Sequence, residues 1–240
     1  MLKWDASHIG KVVDYLIYRF EYVGDFAEPA VLPTESIGSV CASIDGCDGP
    51  VPTEFTDFGA PAGRKLAYFV RTVFEGEEDA SDKSNYATIT TPPAVLNFDG
   101  FADLTVLTNQ YASEGITFTG ATVLNAGGSL NAAAFPPRSG TGVIFDFDLT
   151  FGGVMTVTFT SPVRQAGGYV TGNTAITLAC SDAAGNELGR ASTPGANFVG
   201  AGTGFPPNIF VEVSAAGIAS CKFTDHGNSY TVDDFTFVRD

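Results

Sequence analysis

Along most of this chain apolar and polar positions alternate with a period of two. In Val12-Val13-Asp14-Tyr15-Leu16-Ile17-Tyr18-Arg19-Phe20, Val13, Tyr15, Ile17 and Arg19 fall on one face, the spacing of a strand with one side turned to a core. Residues 2–5, 66–74 and 85–89 read as further strands, with a short strand and a turn over residues 53–63 between them. After Pro93 strand-like runs recur at turn-sized intervals, at residues 142–147, 154–159, 166–170, 176–180, 210–213 and 221–224. Two more bracket them: residues 96–118, with their polar run Thr108-Asn109-Gln110-Tyr111, and the acidic strand Tyr230-Thr231-Val232-Asp233-Asp234-Phe235-Thr236-Phe237. The two brackets suggest that the ends of one β-domain meet and share a buried charge, which a cation would neutralise. No window sustains a period near 3.6 over three turns, so the pattern predicts an all-β protein without long helices.

Composition supports this reading. The 28 glycines and 13 prolines supply turns, and 20 phenylalanines with many Thr and Val favour strands. A chain of 240 residues exceeds the usual size of one domain. Thr90-Thr91-Pro92-Pro93 is a stiff linker by composition, so the expected domains are residues 1–92 and 93–240.

The net charge of −15 is spread over both halves: residues 1–92 carry 15 acidic and 7 basic side chains, residues 93–240 carry 12 and 5. Neither half has a basic stripe, which argues against nucleic acid and anionic lipid as partners. Solubility, adaptation to salt and cation binding remain as reasons for the acidity. No apolar run approaches the length of a membrane span. A secretory signal does not follow Met1-Leu2-Lys3-Trp4-Asp5, so a signal and any anchor are expected outside this chain.

Four cysteines sit where they could pair. Cys41 and Cys47 bracket a turn-rich segment, while Cys180 ends one strand and Cys221 lies in another that would oppose it if the two are neighbours. This layout fits two disulfides and an oxidising, extracellular or cell-surface setting; four free thiols are the alternative. The segment Asp45-Gly46-Cys47-Asp48-Gly49 faintly resembles a calcium loop but lacks the third acidic ligand and the closing Glu, which favours a disulfide-closed turn.

Residues 2–92 resemble a fibronectin type III domain. The resemblance is carried by Trp4 in the second strand, Asp14-Tyr15-x-x-Tyr18-Arg19 in the third, Leu66-x-Tyr68 at the tyrosine corner and Ser84-Asn85-Tyr86-Ala87 opening the last strand. The family's first, proline-containing strand is missing ahead of Trp4, and residues 21–52 are longer than the family's connection. An absent first strand implies an unpaired edge, to be covered by another chain or segment.

Residues 93–240 resemble the galactose-binding-like jelly rolls of bacterial exported surface proteins, many of which carry PEP-CTERM sorting tails. The segments that carry this are Asn97-Phe98-Asp99, residues 108–118, Tyr169-Val170-Thr171-Gly172-Asn173, Asp182-Ala183-Ala184-Gly185-Asn186-x-Leu188-Gly189 and Val232-Asp233-Asp234-Phe235. In such jelly rolls a structural calcium sits where the first and last strands meet. The resemblance therefore implies Asp99 and Asp233 as ligands, with Asn109 or Asp103 beside them, oxygen donors of the kind a hard cation takes.

Two loops repeat a motif, Phe135-Pro136-Pro137-Arg138 and Phe205-Pro206-Pro207-Asn208. Rigid Pro-Pro loops that display an aromatic ring beside Arg or Asn suit a carbohydrate, although both rings could instead plug the ends of a sandwich. Tyr111, Asn173, His226 and Asn228 are further loop candidates. Catalysis finds no support: His8 and His226 lie in different domains, no nucleophile elbow, zinc-binding helix or phosphate loop occurs, and Asp146 with Asp148 reads as a solvated strand face. The expectation is a non-catalytic extracellular module that binds carbohydrate or another surface component, with a structural calcium. Two alternatives are the subunit of a surface layer or fibre, in which identical chains pair by strand addition at an open sheet edge, and an accessory fragment of a polysaccharide-degrading enzyme.

Overall fold

A computed structural model describes residues 1–7, 10–22, 24–41, 50–76, 80–146, 153–225 and 229–239. The protein is all-β: among the described residues the one helical element is the 3-10 turn Ala112–Glu114. The chain divides into two compact units, Met1–Pro92 and Pro93–Asp240.

The first unit contains β1 (Leu2–Lys3), β2 (Val12–Glu21), β3 (Gly38–Ser39), β4 (Glu54–Phe55), β5 (Lys65–Phe74) and β6 (Ala87–Thr90). Four of them form an antiparallel sheet in the order β3-β2-β5-β6, and β1 pairs with β4 in a separate two-stranded sheet. The alternation read in β2 is real, because Tyr15 and Ile17 are buried. Ile17, Leu66 and Tyr68 form the core, and Leu2, Trp4, Ile37, Val40, Phe55 and Ala60 pack against it partly buried. The Tyr68 hydroxyl donates to Asp57 (2.9 Å), whose carboxylate also takes the Arg19 guanidinium (2.8 Å). Burial and the Asp57 carboxylate push the Tyr68 hydroxyl up to about 12, so it stays a donor. Beyond the end of β6 two serines replace a strand: the Ser84 and Ser81 hydroxyls accept the Val70 and Thr72 N–H groups (3.0 and 2.9 Å).

The second unit is a β-sandwich of the jelly-roll type. Its strands are β7 (Ala94–Leu96), β8 (Val106–Leu107), β9 (Ile116–Thr119), β10 (Ala121–Asn125), β11 (Gly142–Phe145), β12 (Val154–Gly172), β13 (Thr177–Ser181), β14 (Glu187–Ser192), β15 (Ile209–Thr224) and β16 (Tyr230–Arg239). One layer runs β14-β13-β15-β12-β9 and uses the first part of β12 with the last part of β15. The other runs β15-β12-β16-β11-β10-β8 and uses the opposite parts, with β7 on the far half of β16. The sequence predicts about eight strands and splits both β12 and β15 in two. In the structure each is a single strand that passes from one layer into the other through a register shift. Pro162 sits inside the shift between the Thr158 and Val163 pairs, where no ladder N–H is required. Gly217, at φ 82°, takes the bend in β15.

The layers close on a core that includes Phe98, Ile116, Met155, Val157, Val170, Phe223, Phe235 and Phe237. The ends of this unit meet, since Leu96 of β7 pairs with Phe235 of β16. Cys180 and Cys221 face each other across β13 and β15 and form a disulfide, both fully buried. Cys41 is also disulfide-bonded, and Cys47, its expected partner, lies outside the described residues. Replacing Cys180 and Cys221 together with alanine is expected to lower stability by about 2–4 kcal/mol, read from urea unfolding, with the strand signal in circular dichroism retained.

Candidate functional site

The site is built on the join between β7 and β16. The chain leaves β7 through Asn97 and buries the Phe98 ring completely, which fixes where Asp99 can reach. One oxygen of Asp99 accepts the N–H groups of Thr141 (2.7 Å) and Gly142 (2.8 Å). On β16, Asp233 does the same further along the same loop: Oδ2 accepts from the N–H of Arg138 (2.7 Å) and Ser139 (3.1 Å), and Oδ1 from that of Asp234 (2.7 Å). The Ser139 hydroxyl donates to Asp234 (2.8 Å). Residues 138–142 are thus a strap pinned at both ends by carboxylates through backbone N–H donors.

Two glycines make the strap fit. A Cβ on Gly140, at φ +48°, would lie 2.0 Å from Oδ2 of Asp99, and one on Gly142 would lie 2.5 Å from the Phe98 carbonyl oxygen. Asp233 is 1% exposed, and burial pushes its carboxyl up to about 6. Its N–H donors pull in the opposite direction and the neighbouring Asp234 adds to the rise.

The residues expected to share a calcium do not form one shell. Asp103 is held elsewhere, accepting the N–H of Asn125 (2.8 Å) and both the N–H and hydroxyl of Ser129 (2.9 and 2.7 Å), bonds that lower its pKa. Asn109 lies in a polar turn whose side-chain hydrogen bonds stay within residues 106–110. Among the described residues no three His, Cys, Asp or Glu side chains gather around a point. Asp99 and Asp233 face N–H donors, which repel a cation where the expected ligand set needs carbonyl oxygens. The sequence flags these carboxylates, and the strap gives them main-chain N–H partners.

The strap has a second effect. Asp233 pairs in register with Tyr169 of β12, so the two share the outer face of the sheet. By holding the Arg138 backbone over that face, Asp233 sets the Arg138 guanidinium 4.8 Å above the Tyr169 ring. Across β12 in the other direction Tyr169 pairs with Phe210 of β15, the ring centroids 5.0 Å apart and tilted by 50°. The Phe210 ring also lies over bare Gly167, where a Cβ would come 3.0 Å from its Cζ, and it remains 40% exposed. Gln165 donates to Glu212 beside it. Two aromatic rings, a guanidinium, an amide and a carboxylate therefore form one patch on the outer face.

The two Phe-Pro-Pro loops converge here. Asn208, at φ 59°, donates from its side chain to the Pro136 carbonyl (3.1 Å) and from its N–H to the Thr171 hydroxyl (2.9 Å). The Asn197 side chain ties Gly172 and Val170 of β12 to the Pro206 carbonyl. Of the predicted rings, Phe205 is 40% exposed, while Phe135 stacks on Phe198 and packs over Leu124, Leu130 and Val143. Tyr111 is likewise committed to packing: its ring lies among Phe98, Phe101 and Phe118, its hydroxyl donates to the Asn97 carbonyl, and burial pushes its pKa up to about 12. Asn173 is exposed at the end of β12; His226, Asn228 and Asp148 lie outside the described residues. Nothing in the sequence marks Tyr169 or Phe210 as a site residue, and the signal that finds them is their cross-strand register beside Asp233.

The chain matches no known family model and no curated protein. Among solved structures it is similar to the enzymatically active domain of tailspike protein 4 from bacteriophage CBA120, at 16% identity and a TM-score of 0.27, over 55% of this chain and 20% of that one. It is also similar to a glycoside hydrolase family 43 arabinoxylan arabinofuranohydrolase from Bacillus subtilis, solved with cellotetraose, at 14% identity and a TM-score of 0.31, over 94% of this chain and 52% of that one. This chain thus spans only 20% and 52% of those two chains, and at scores this low neither likeness says what it does.

Gly140→Ala is expected to destabilise the second unit by about 2–4 kcal/mol through the clash with Asp99. Gly127→Ala, at φ +87° with nothing within 4 Å, carries only the backbone cost of about 1 kcal/mol. A chelator leaves both melting midpoints in place. For Asp233 the folded pKa lies above the ordinary value of 3.8, so its contribution is fully present below that value and is lost as pH rises through about 6. Asp233→Asn is therefore expected to lose less stability than the parent between pH 4 and 7, by on the order of 2 kcal/mol, in melts taken along that range.

Proposed function

We propose that this chain is a non-catalytic, extracytoplasmic recognition protein whose second unit binds carbohydrate on the outer face of β12 and β15. The observation that carries this is the patch of Tyr169, Phe210 and Arg138 with Gln165 and Glu212 at its edge. Sugars present C–H faces that stack on rings and hydroxyls that need both donors and acceptors. Phe210 offers an exposed ring; Arg138 donates, Glu212 accepts and Gln165 does both. Gly167, without a side chain, lets the Phe210 ring lie down on the sheet. The buried Cys180–Cys221 disulfide supports an oxidising compartment. No described helix is long and apolar enough to cross a membrane.

Within this reading the first unit is a fibronectin type III-like spacer and the second a galactose-binding-like jelly roll. The pairing of β1 with β4 beside the sheet β3-β2-β5-β6 supports the first assignment, and the closure of β7 on β16 supports the second. The reading does not call on calcium: one oxygen of Asp99 and both of Asp233 accept N–H groups.

Glycan-array screening followed by titration of the best oligosaccharide tests the proposal. Phe210→Ala and Tyr169→Ala are each expected to weaken binding about tenfold or more at unchanged melting temperature. Absence of binding to any glycan, or binding that both substitutions leave intact, overturns it.

A further inference from the structure

The first unit has a second feature that points to a partner. Its two-stranded sheet consists of two residue pairs only, Leu2 with Phe55 and Lys3 with Glu54, a pairing too small to be stable by itself. The Trp4 N–H donates to the Thr53 carbonyl on the β4 side. By the alternation of a strand, the N–H and C=O of Lys3 then point the other way, and β1 pairs with no second strand among the described residues. Along that free edge runs a groove of about 700 Å³. Its floor includes Trp4, Tyr15, Phe69 and Val70, and its far wall is the segment from Asp82 to Asn85 with Ala87.

The groove is incomplete in two ways. Trp4 packs edge-on against Tyr15 at 5.3 Å, yet its ring N–H is buried with no acceptor among the described residues, a cost that an incoming carbonyl would relieve. The groove also presents uncompensated charge of one sign. Lys3 is bonded to Glu54 and Lys83 to Glu28, while the exposed carboxylates Asp5 and Asp82, on opposite walls, enter none of the ion pairs among the described residues.

We propose that this groove accepts an extended, basic strand from another polypeptide. The strand adds to the free edge of β1, places an apolar side chain on Trp4, offers a main-chain carbonyl to the Trp4 ring N–H and sets basic side chains against Asp5 and Asp82. Charge selects this occupant over a second copy, since the chain carries −15 overall and residues 1–92 hold 15 acidic against 7 basic side chains.

Trp4 is the only tryptophan, so its emission reports on this groove alone. The full chain is titrated with two ten-residue peptides, one alternating valine with lysine and the other valine with glutamate. The expected result is a saturable blue shift with the lysine peptide and none with the glutamate peptide. Joint Asp5→Lys and Asp82→Lys substitution, on exposed residues that leave the fold intact, is expected to weaken the lysine peptide at least tenfold and to admit the glutamate peptide. Three results overturn the proposal: an emission unmoved by either peptide, a preference that charge reversal leaves unchanged, or a blue shift that grows with protein concentration alone and accompanies a dimer in sedimentation, which would make the occupant a second copy.

Discussion

Backbone N–H groups answering the carboxylates of Asp99 and Asp233 are the constraint on which the second unit depends. A carboxylate as enclosed as Asp233 must be protonated, paired or fully hydrogen-bonded. This chain takes the third course by running residues 138–142 between Asp99 and Asp233 and giving both of them donors from the main chain. The closure of β7 on β16, the covering of the outer face and the height of Arg138 above Tyr169 all follow from that one arrangement. A cation at the same place would hold the two ends together, but it would leave Arg138 without its anchor.

Much of the fold could be read from alternation, and the exceptions have physical causes. β2 shows a face plainly where Tyr15 and Ile17 turn to a core. β10, by contrast, is buried along Ala121–Leu124, so Ala-Thr-Val-Leu shows no alternation to read. β14 is largely exposed, and its Glu-Leu-Gly-Arg-Ala-Ser sequence has little strand character; it forms because β13 and the Asp182 turn present it with a partner. Pro162 and Gly217 look like terminators, and each instead marks a place where a strand changes layers without ending.

The same division applies to the site. Asp99 stands out as an acid just past a strand and Asp233 as one inside a strand, and their neighbourhood is where the chemistry lies. Their partners could not be read, because main-chain donors have no letter in the sequence; Gly140 is the sole trace, and any turn would also supply a glycine. Tyr169 and Phe210 belong to runs that look like ordinary strand, and only pairing tells which side of the sheet a ring faces. Phe135 and Tyr111 show the converse: rings in loops, promising by position, that the fold spends on its own packing.

The placement of the Cys180–Cys221 bond also determines how the second unit would bear a load. β7 and β16 lie antiparallel at the unit's ends, so tension applied at residues 94 and 239 opens the Phe237, Thr236 and Val95 pairings one after another, as a zip opens, and meets little resistance. Once unravelling reaches β13 and β15, the disulfide carries the tension directly between its two ends and shields the residues between them. β14 and the strand segment bearing Phe210 lie inside that shielded span. A module tethered through its ends would therefore yield at its seam while one wall of its outer patch stayed unstretched.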